Sequence, residues 1–166
     1  GVFVAMAPDL LFLKDTDGDD VADIRMRVLH GLSSGDTHHA ANSFVFGPDG
    51  NIYFGEGIFH RTQIETPYGA VRNRDGCIWK FDPRTWEVER VIPSDFANPH
   101  GHVFDSWGQN FVYDGTTSYP YHAAIISGHI DYPNKRRNQP PSPLLYQRKT
   151  RPCPGVEIIE TDHFPE

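Results

Sequence analysis

Asp15, Asp17, Asp19 and Asp23 occupy relative positions 1, 3, 5 and 9 of one short run, Asp15-Thr-Asp-Gly-Asp-Asp-Val-Ala-Asp23. Alternate carboxylates at that spacing turn to one side of a curling loop. There they can surround a hard cation such as calcium, which takes roughly six to eight oxygens. Gly18 helps the chain to curl. The run is not an EF-hand: its glycine sits at position 4, and Met26 rather than glutamate stands at position 12. The alternative is an acidic hairpin turn kept soluble by its charge, whose aspartates repel one another unless a cation or water screens them.

Histidines form the second constellation. The chain has nine, four of them paired as His38-His39 and His100-x-His102. Imidazole is the natural general base near neutral pH. Asp36, Asn42 and Glu56 are the nearby groups able to orient one. No helical His-x3-His metal spacing occurs. A third signal is Asp95-Phe-Ala-Asn-Pro-His-Gly101, where proline and glycine bracket His100 and fix the directions of Asn98 and His100. A connection between strands would use the same turn residues.

The elements that must hold these groups are short. Leu10–Leu13, Ser43–Phe46, Asn51–Phe54, Cys77–Phe81, Val88–Ile92, His102–Phe104 and Asn110–Tyr113 are rich in β-branched and aromatic residues. Turn residues bound them at Pro48-Asp49-Gly50, Asp82-Pro83-Arg84-Thr85 and Ser106-Trp107-Gly108. Ala22–Leu29 and Val156–Glu160 also read as strands. Ile58–Arg74 reads as a polar loop. Thr116–Pro154 reads as a longer, proline-rich loop with a solvated basic cluster at Lys135–Arg137. No stretch has a convincing 3.6-residue period. The expected class is all-β and antiparallel, built from hairpins.

The chain also echoes itself. Phe44–Phe54 matches His102–Val112 when Gly50 is laid on Gly108, an offset of 58 residues. Each copy reads strand, glycine-closed turn, strand, and the hairpin Cys77–Ile92 lies between them. Two hairpins per period make a four-stranded unit, the pattern of a β-propeller blade. A sandwich with two similar hairpins is the alternative. At this period 166 residues hold about three blades, so the expectation is one partial propeller domain over residues 1–166, truncated at both ends.

Composition narrows the function classes. Fifteen basic against 22 acidic residues give a net charge of −7, which argues against a nucleic-acid surface. No apolar run approaches a membrane span, and aromatics at 13% are too many for a disordered chain. Cys77 and Cys153 lie far apart and form neither a zinc knuckle nor a haem-attachment motif.

The aspartate run resembles the short calcium loops of thrombospondin-type and dockerin-like repeats, used singly. Across the chain, His39–Phe54 followed by Ala97-Asn-Pro-His-Gly101 is similar to the glucose/sorbosone dehydrogenase family, six-bladed propellers related to soluble quinoprotein sugar dehydrogenases. Asp36–Asn42, Phe59–Gln63, Pro67–Gly69, Arg72–Asp75, Phe96–His102 and Cys153–Glu157 resemble, more closely, the membrane-bound dehydrogenase propeller domain of planctomycete and verrucomicrobial type. That domain is often followed by helical repeats and a c-type haem domain. The resemblance implies secretion to the periplasm or another extracytoplasmic site, possible membrane association through other regions, and oxidation of a sugar or alcohol with pyrroloquinoline quinone. It makes His39 the catalytic base, taking the proton of the substrate hydroxyl, and sets Asn98 and His100 at the cofactor. The quinoprotein string Arg-Asn-Pro-Gln-Gly here reads Ala97-Asn98-Pro99-His100-Gly101, without the guanidinium that would pair with an acidic cofactor.

Two further readings stay open. One is a non-enzymatic, calcium-stabilised propeller that binds glycans or partner proteins. The other is a lactonase-type hydrolase, for which Glu56 and Asp114 are the candidate axial carboxylates.

Overall fold

The computed structural model describes residues 1–93, 96–116, 119–123 and 155–163. All the regular structure there is β, in four antiparallel sheets. The first is a meander of β1 (Val2–Met6), β2 (Asp9–Lys14) and β3 (Ile24–His30). The second has four strands in the order β4 (Asn42–Phe46), β5 (Ile52–Glu56), β8 (Cys77–Phe81), β9 (Val88–Pro93). Between β5 and β8 the chain makes a separate hairpin, β6 (Arg61–Thr66) and β7 (Gly69–Arg74). The last sheet is β10 (Pro99–Phe104), β11 (Asn110–Asp114) and β12 (Tyr119–His122).

The central sheet is buried on both faces, and side-chain alternation divides its residues. Ile52, Phe54, Trp79 and Phe81 join Leu10, Val28, Leu29 and Leu32 in one apolar core. Tyr53, Ile78 and Ile92 point the other way, onto Phe96, Val112 and Tyr121. The sheets therefore stack in the order of the chain, with a core on each side of the middle one. Trp79, Phe54 and Phe81 are fully buried, and each such side chain contributes roughly 1.5–3 kcal/mol.

The 58-residue echo is realised in the backbone of the two turns. Gly50 and Gly108 both adopt φ 78, and each N–H donates at 2.9 Å to the carbonyl three residues back, Gly47 and Asp105 respectively. Glycine takes this left-handed conformation without strain. Both leading strands, β4 and β10, are also bulged near their starts.

Three segments depart from expectation. Ile58–Arg74 contains the β6–β7 hairpin rather than a loop: Arg61–Thr66 alternates exposed and buried residues, with Thr62 and Ile64 inward, and Pro67-Tyr68-Gly69 forms its turn. Charged outward positions and a single inward aliphatic hid the two-residue period. Val156–Glu160 forms no strand; Val156 lies against Gly101 instead of joining a ladder. Tyr119–His122, inside the expected long loop, completes the last sheet. Lys135–Arg137 lies outside the described residues. The strand expected at Ala22–Leu29 is present as β3, shifted slightly toward the C-terminus.

Candidate functional site

Antiparallel pairing brings one set of strand ends together. Gly55 pairs with Asn42, Glu56 with Cys77, Cys77 with Pro93, and Asp114 with Pro99. The tight turns at Gly47–Gly50, Asp82–Glu87 and Asp105–Gln109 lie at the opposite ends. The segments running into β4 and β10, and those leaving β5 and β11, thus share one side.

Backbone bonds clasp these segments. The Gly57 N–H donates to the His39 carbonyl at 2.9 Å, and the Ile58 N–H to the Ala97 carbonyl at 3.2 Å. The space is tight: a Cβ on Gly57 would lie 2.2 Å from the Ala97 carbonyl oxygen and 2.8 Å from His39 Cβ. His39 and Ala97 are themselves 58 residues apart, so the imidazole of one repeat is a methyl in the next.

His39 is held by Asp36. Its Nδ1 lies 2.7 Å from Asp36 Oδ1, which also accepts the backbone N–H groups of His38 (2.7 Å) and His39 (3.2 Å). Those bonds, the His38 amide foremost, hold the Asp36 carboxyl below its ordinary range against a smaller opposing effect of desolvation. A carboxylate only accepts, so Nδ1 carries the hydrogen and Nε2 is left as the basic atom. Of the three groups able to orient a histidine, Asp36 does so. Asn42 donates instead to the Ala40 carbonyl, and Glu56 bonds elsewhere. His38 is exposed, with its ring 6.2 Å from that of His39.

His100 and Asn98 sit on the adjoining segment. Burial first, and His39 second, lower the His100 pKa from the usual imidazole value, while Asp114 acts in the opposite sense. His100 lines a groove of about 340 Å³ between β4 and β10, bordered by Gly155–Glu157. Asn98 is committed to its own turn: its N–H donates to Asp114 Oδ1 at 2.8 Å, its carbonyl accepts from Gly115 and His100, and its amide donates to Thr116 Oγ1.

Behind His39 lies a buried polar cluster. Glu56 accepts from Thr62 Oγ1 through Oε1, and from Trp79 Nε1 at 3.0 Å through Oε2. Burial pushes Glu56 up to about 7, partly offset by Thr62, Trp79 and Asn73. His60 is fully buried, with Nδ1 3.7 Å from Glu56 Oε1. Neither ring nitrogen has a hydrogen-bond partner of good geometry, although the Ser33 backbone lies close. Burial lowers the His60 pKa from the usual imidazole value, with Asp36 acting in the opposite sense. Sequence reading singled out Glu56 but not His60, Thr62 or Asn73. The available signal was a carboxylate closing an apolar strand, followed by polar residues at alternate positions.

The aspartate run forms a separate site in the β2–β3 connection. Asp15, Asp17 and Asp19 offer carboxylate oxygens within 4.8 Å of one another. Asp23 faces Thr16, accepting its N–H at 2.8 Å and its hydroxyl at 2.7 Å. The Asp15 pKa is lowered chiefly by the Gly18 N–H. Among the described residues no helix is long and apolar enough to cross a membrane.

No curated protein and no solved structure matches the chain. A family model described as "Domain of unknown function (DUF7133)" matches residues 1–153, nearly the whole length, and the chain belongs to that family.

Proposed function

We propose that these residues are about three blades of a six-bladed propeller belonging to a dehydrogenase that oxidises a sugar or alcohol in an extracytoplasmic compartment, with His39 as general base. The observation that carries this reading is the 2.7 Å bond from His39 Nδ1 to Asp36, which leaves Nε2 to accept a hydroxyl proton. Three sheets stacked through two apolar cores, one of them four-stranded, support the propeller. In the reaction the hydroxyl proton goes to Nε2 and the hydride of the carbinol carbon to a two-electron acceptor.

Pyrroloquinoline quinone does not fit the residues that the resemblance assigns to it. Ala97 has no side-chain donor where the quinoprotein string has arginine, and one Asn98 amide N–H is already given to Thr116. An acceptor carrying fewer negative charges suits this face better. Calcium is the proposed occupant of the loop that holds Asp15, Asp17 and Asp19, where it would neutralise crowded carboxylates.

The test is oxidation of sugars and alcohols by the full-length protein, followed with an artificial electron-acceptor dye, with and without calcium and the quinone. Turnover that disappears in His39→Ala is expected; no turnover under any of these conditions overturns the reading. The second reading, a calcium-stabilised propeller that binds glycans or proteins without catalysis, is favoured by the aspartate cluster alone. It predicts calcium-dependent stability that His39→Ala leaves unchanged.

A further inference from the structure

Phe59 leaves 62% of its surface exposed, although it sits between the buried Gly57 and His60. Its backbone is left-handed, with φ 72. Glycine or asparagine would fill such a position without strain, whereas a bulky aromatic would not. The surroundings keep it there. The Phe59 N–H donates to Asp75 Oδ1 at 3.1 Å, and Asp75, also left-handed at φ 64, donates its own N–H to the His60 carbonyl at 2.9 Å. The preceding two residues are clasped by His39 and Ala97. The result is an outward-facing ring whose centroid lies 5.6 Å from the His39 imidazole, the planes inclined at 76°.

The other exposed aromatics lack this company. Trp107 stands at the tip of the β10–β11 turn and Tyr68 at the tip of the β6–β7 turn, where its hydroxyl donates to the Thr85 carbonyl. Phe44 stacks on Phe54, and Phe46 meets Phe3. Among the described residues, only at Phe59 does an exposed ring meet an imidazole that is itself held by a carboxylate: His39, bonded to Asp36.

That combination has the chemistry of a pyranose. One face of the sugar ring is a patch of C–H groups made slightly positive by neighbouring oxygens, and such a patch is attracted to the negative face of an aromatic ring. The rim of the sugar carries hydroxyls that suit carboxylate and imidazole partners. We infer that Phe59 is a stacking platform for a pyranose ring, seating a sugar hydroxyl at His39 and favouring sugars over simple alcohols. The inference rests on the reading of His39 as the reacting base, but binding alone tests it.

Methyl β-D-glucoside, methyl β-D-galactoside and cellobiose would be titrated into the full-length protein by calorimetry, with 1-butanol as the ringless comparison. At least one pyranoside is expected to bind, at least tenfold more tightly than 1-butanol. Phe59→Ala should weaken it tenfold or more, and Phe59→Trp should retain it. Phe59→Asn separates binding from folding: it should keep or raise the melting temperature, because asparagine tolerates the left-handed backbone, while losing the sugar. Failure of all three pyranosides to bind wild-type protein overturns the proposal. So does binding that Phe59→Ala and Phe59→Asn leave unchanged. Sugar binding through Phe59 without electron transfer would uphold the platform and remove the dehydrogenase.

Discussion

Glu56 and Asp114 close the second strands of two hairpins 58 residues apart, and both carboxylates are buried at the same side of the stacked sheets. Their partners differ. Asp114 accepts backbone N–H groups from Asn98 and Thr116, which fixes the turn before β10. Glu56 accepts from side chains, Thr62 and Trp79, which ties the β6–β7 hairpin to the central sheet. One position in the repeat therefore anchors a connection in one unit and an inserted hairpin in the other.

Glu56 and His102 should give opposite pH dependences of stability. Glu56 is raised from 4.5 to about 7, so the fold prefers its protonated form. Its contribution is full below pH 4.5 and is lost as pH rises through 7, an effect on the order of 3 kcal/mol. His102, bonded to Asn110 and lowered from 6.5 to about 4 mainly by burial, contributes fully above pH 6.5 and loses that as pH falls through 4. Between pH 4.5 and 6.5 the two slopes oppose each other. Thermal melts across pH 4–8 should show that Glu56→Gln makes the protein more acid-sensitive, while His102→Gln makes stability fall as pH rises. Identical pH profiles for the wild type and both variants would refute this assignment.

On the proposed dehydrogenase reading, removing the His39 imidazole should lower kcat/KM by about 10²–10⁴, the usual range for a general base. Asp36→Asn should cost less, because the ring keeps an acceptor at Nδ1 but loses the charge that favours its protonated form. Steady-state kinetics on His39→Ala and Asp36→Asn check the order. A larger loss in Asp36→Asn would make Asp36 rather than His39 the principal group.

Calcium should raise the melting temperature, since a ligand at a hundred times its Kd adds about 2.7 kcal/mol. Asp15→Asn and Asp17→Asn should abolish the rise. Asp23→Asn should reduce it less, because Asp23 is bonded to Thr16 and is absent from the group of convergent carboxylates. Equal melting curves with calcium and with chelator would exclude the site.

Gly57→Ala should destabilise by about 1–3 kcal/mol, the usual effect of forcing an atom into packed surroundings. Its methyl meets backbone at Ala97 and the body of His39, neither of which can swing away. Gly35→Ala, whose nearest neighbours lie at 3.4 Å, is the comparison and should change stability little. Chemical denaturation of both variants measures the difference.

The sequence made the apolar strands and the repeat legible because their signals are local. Gly50 and Gly108 mark turns through a backbone requirement, and Phe54, Trp79 and Phe81 mark strands through alternation. Thr62 and Ile64 were not legible as the inward face of a strand, because a threonine that satisfies a buried carboxylate looks like a loop residue until that carboxylate is seen. His39 was legible as a candidate base and Asp36 as one of three possible supports; choosing among the three needed the 2.7 Å contact. His60 was invisible for a related reason: its burial depends on a hairpin folding back over Glu56.

The β6–β7 hairpin leaves the central sheet at Glu56 and rejoins it at Cys77, residues that are themselves paired. Its base reaches the segment after β3, where Gln63 donates to the Gly31 carbonyl and Thr62 accepts from Ser33. Because departure and return share one rung, the excursion is length-neutral for the ladder beneath it. Its tip can lengthen, shorten or change composition without shifting the register of β5 on β8. The tip is thus a natural place to graft a new epitope above an unchanged scaffold.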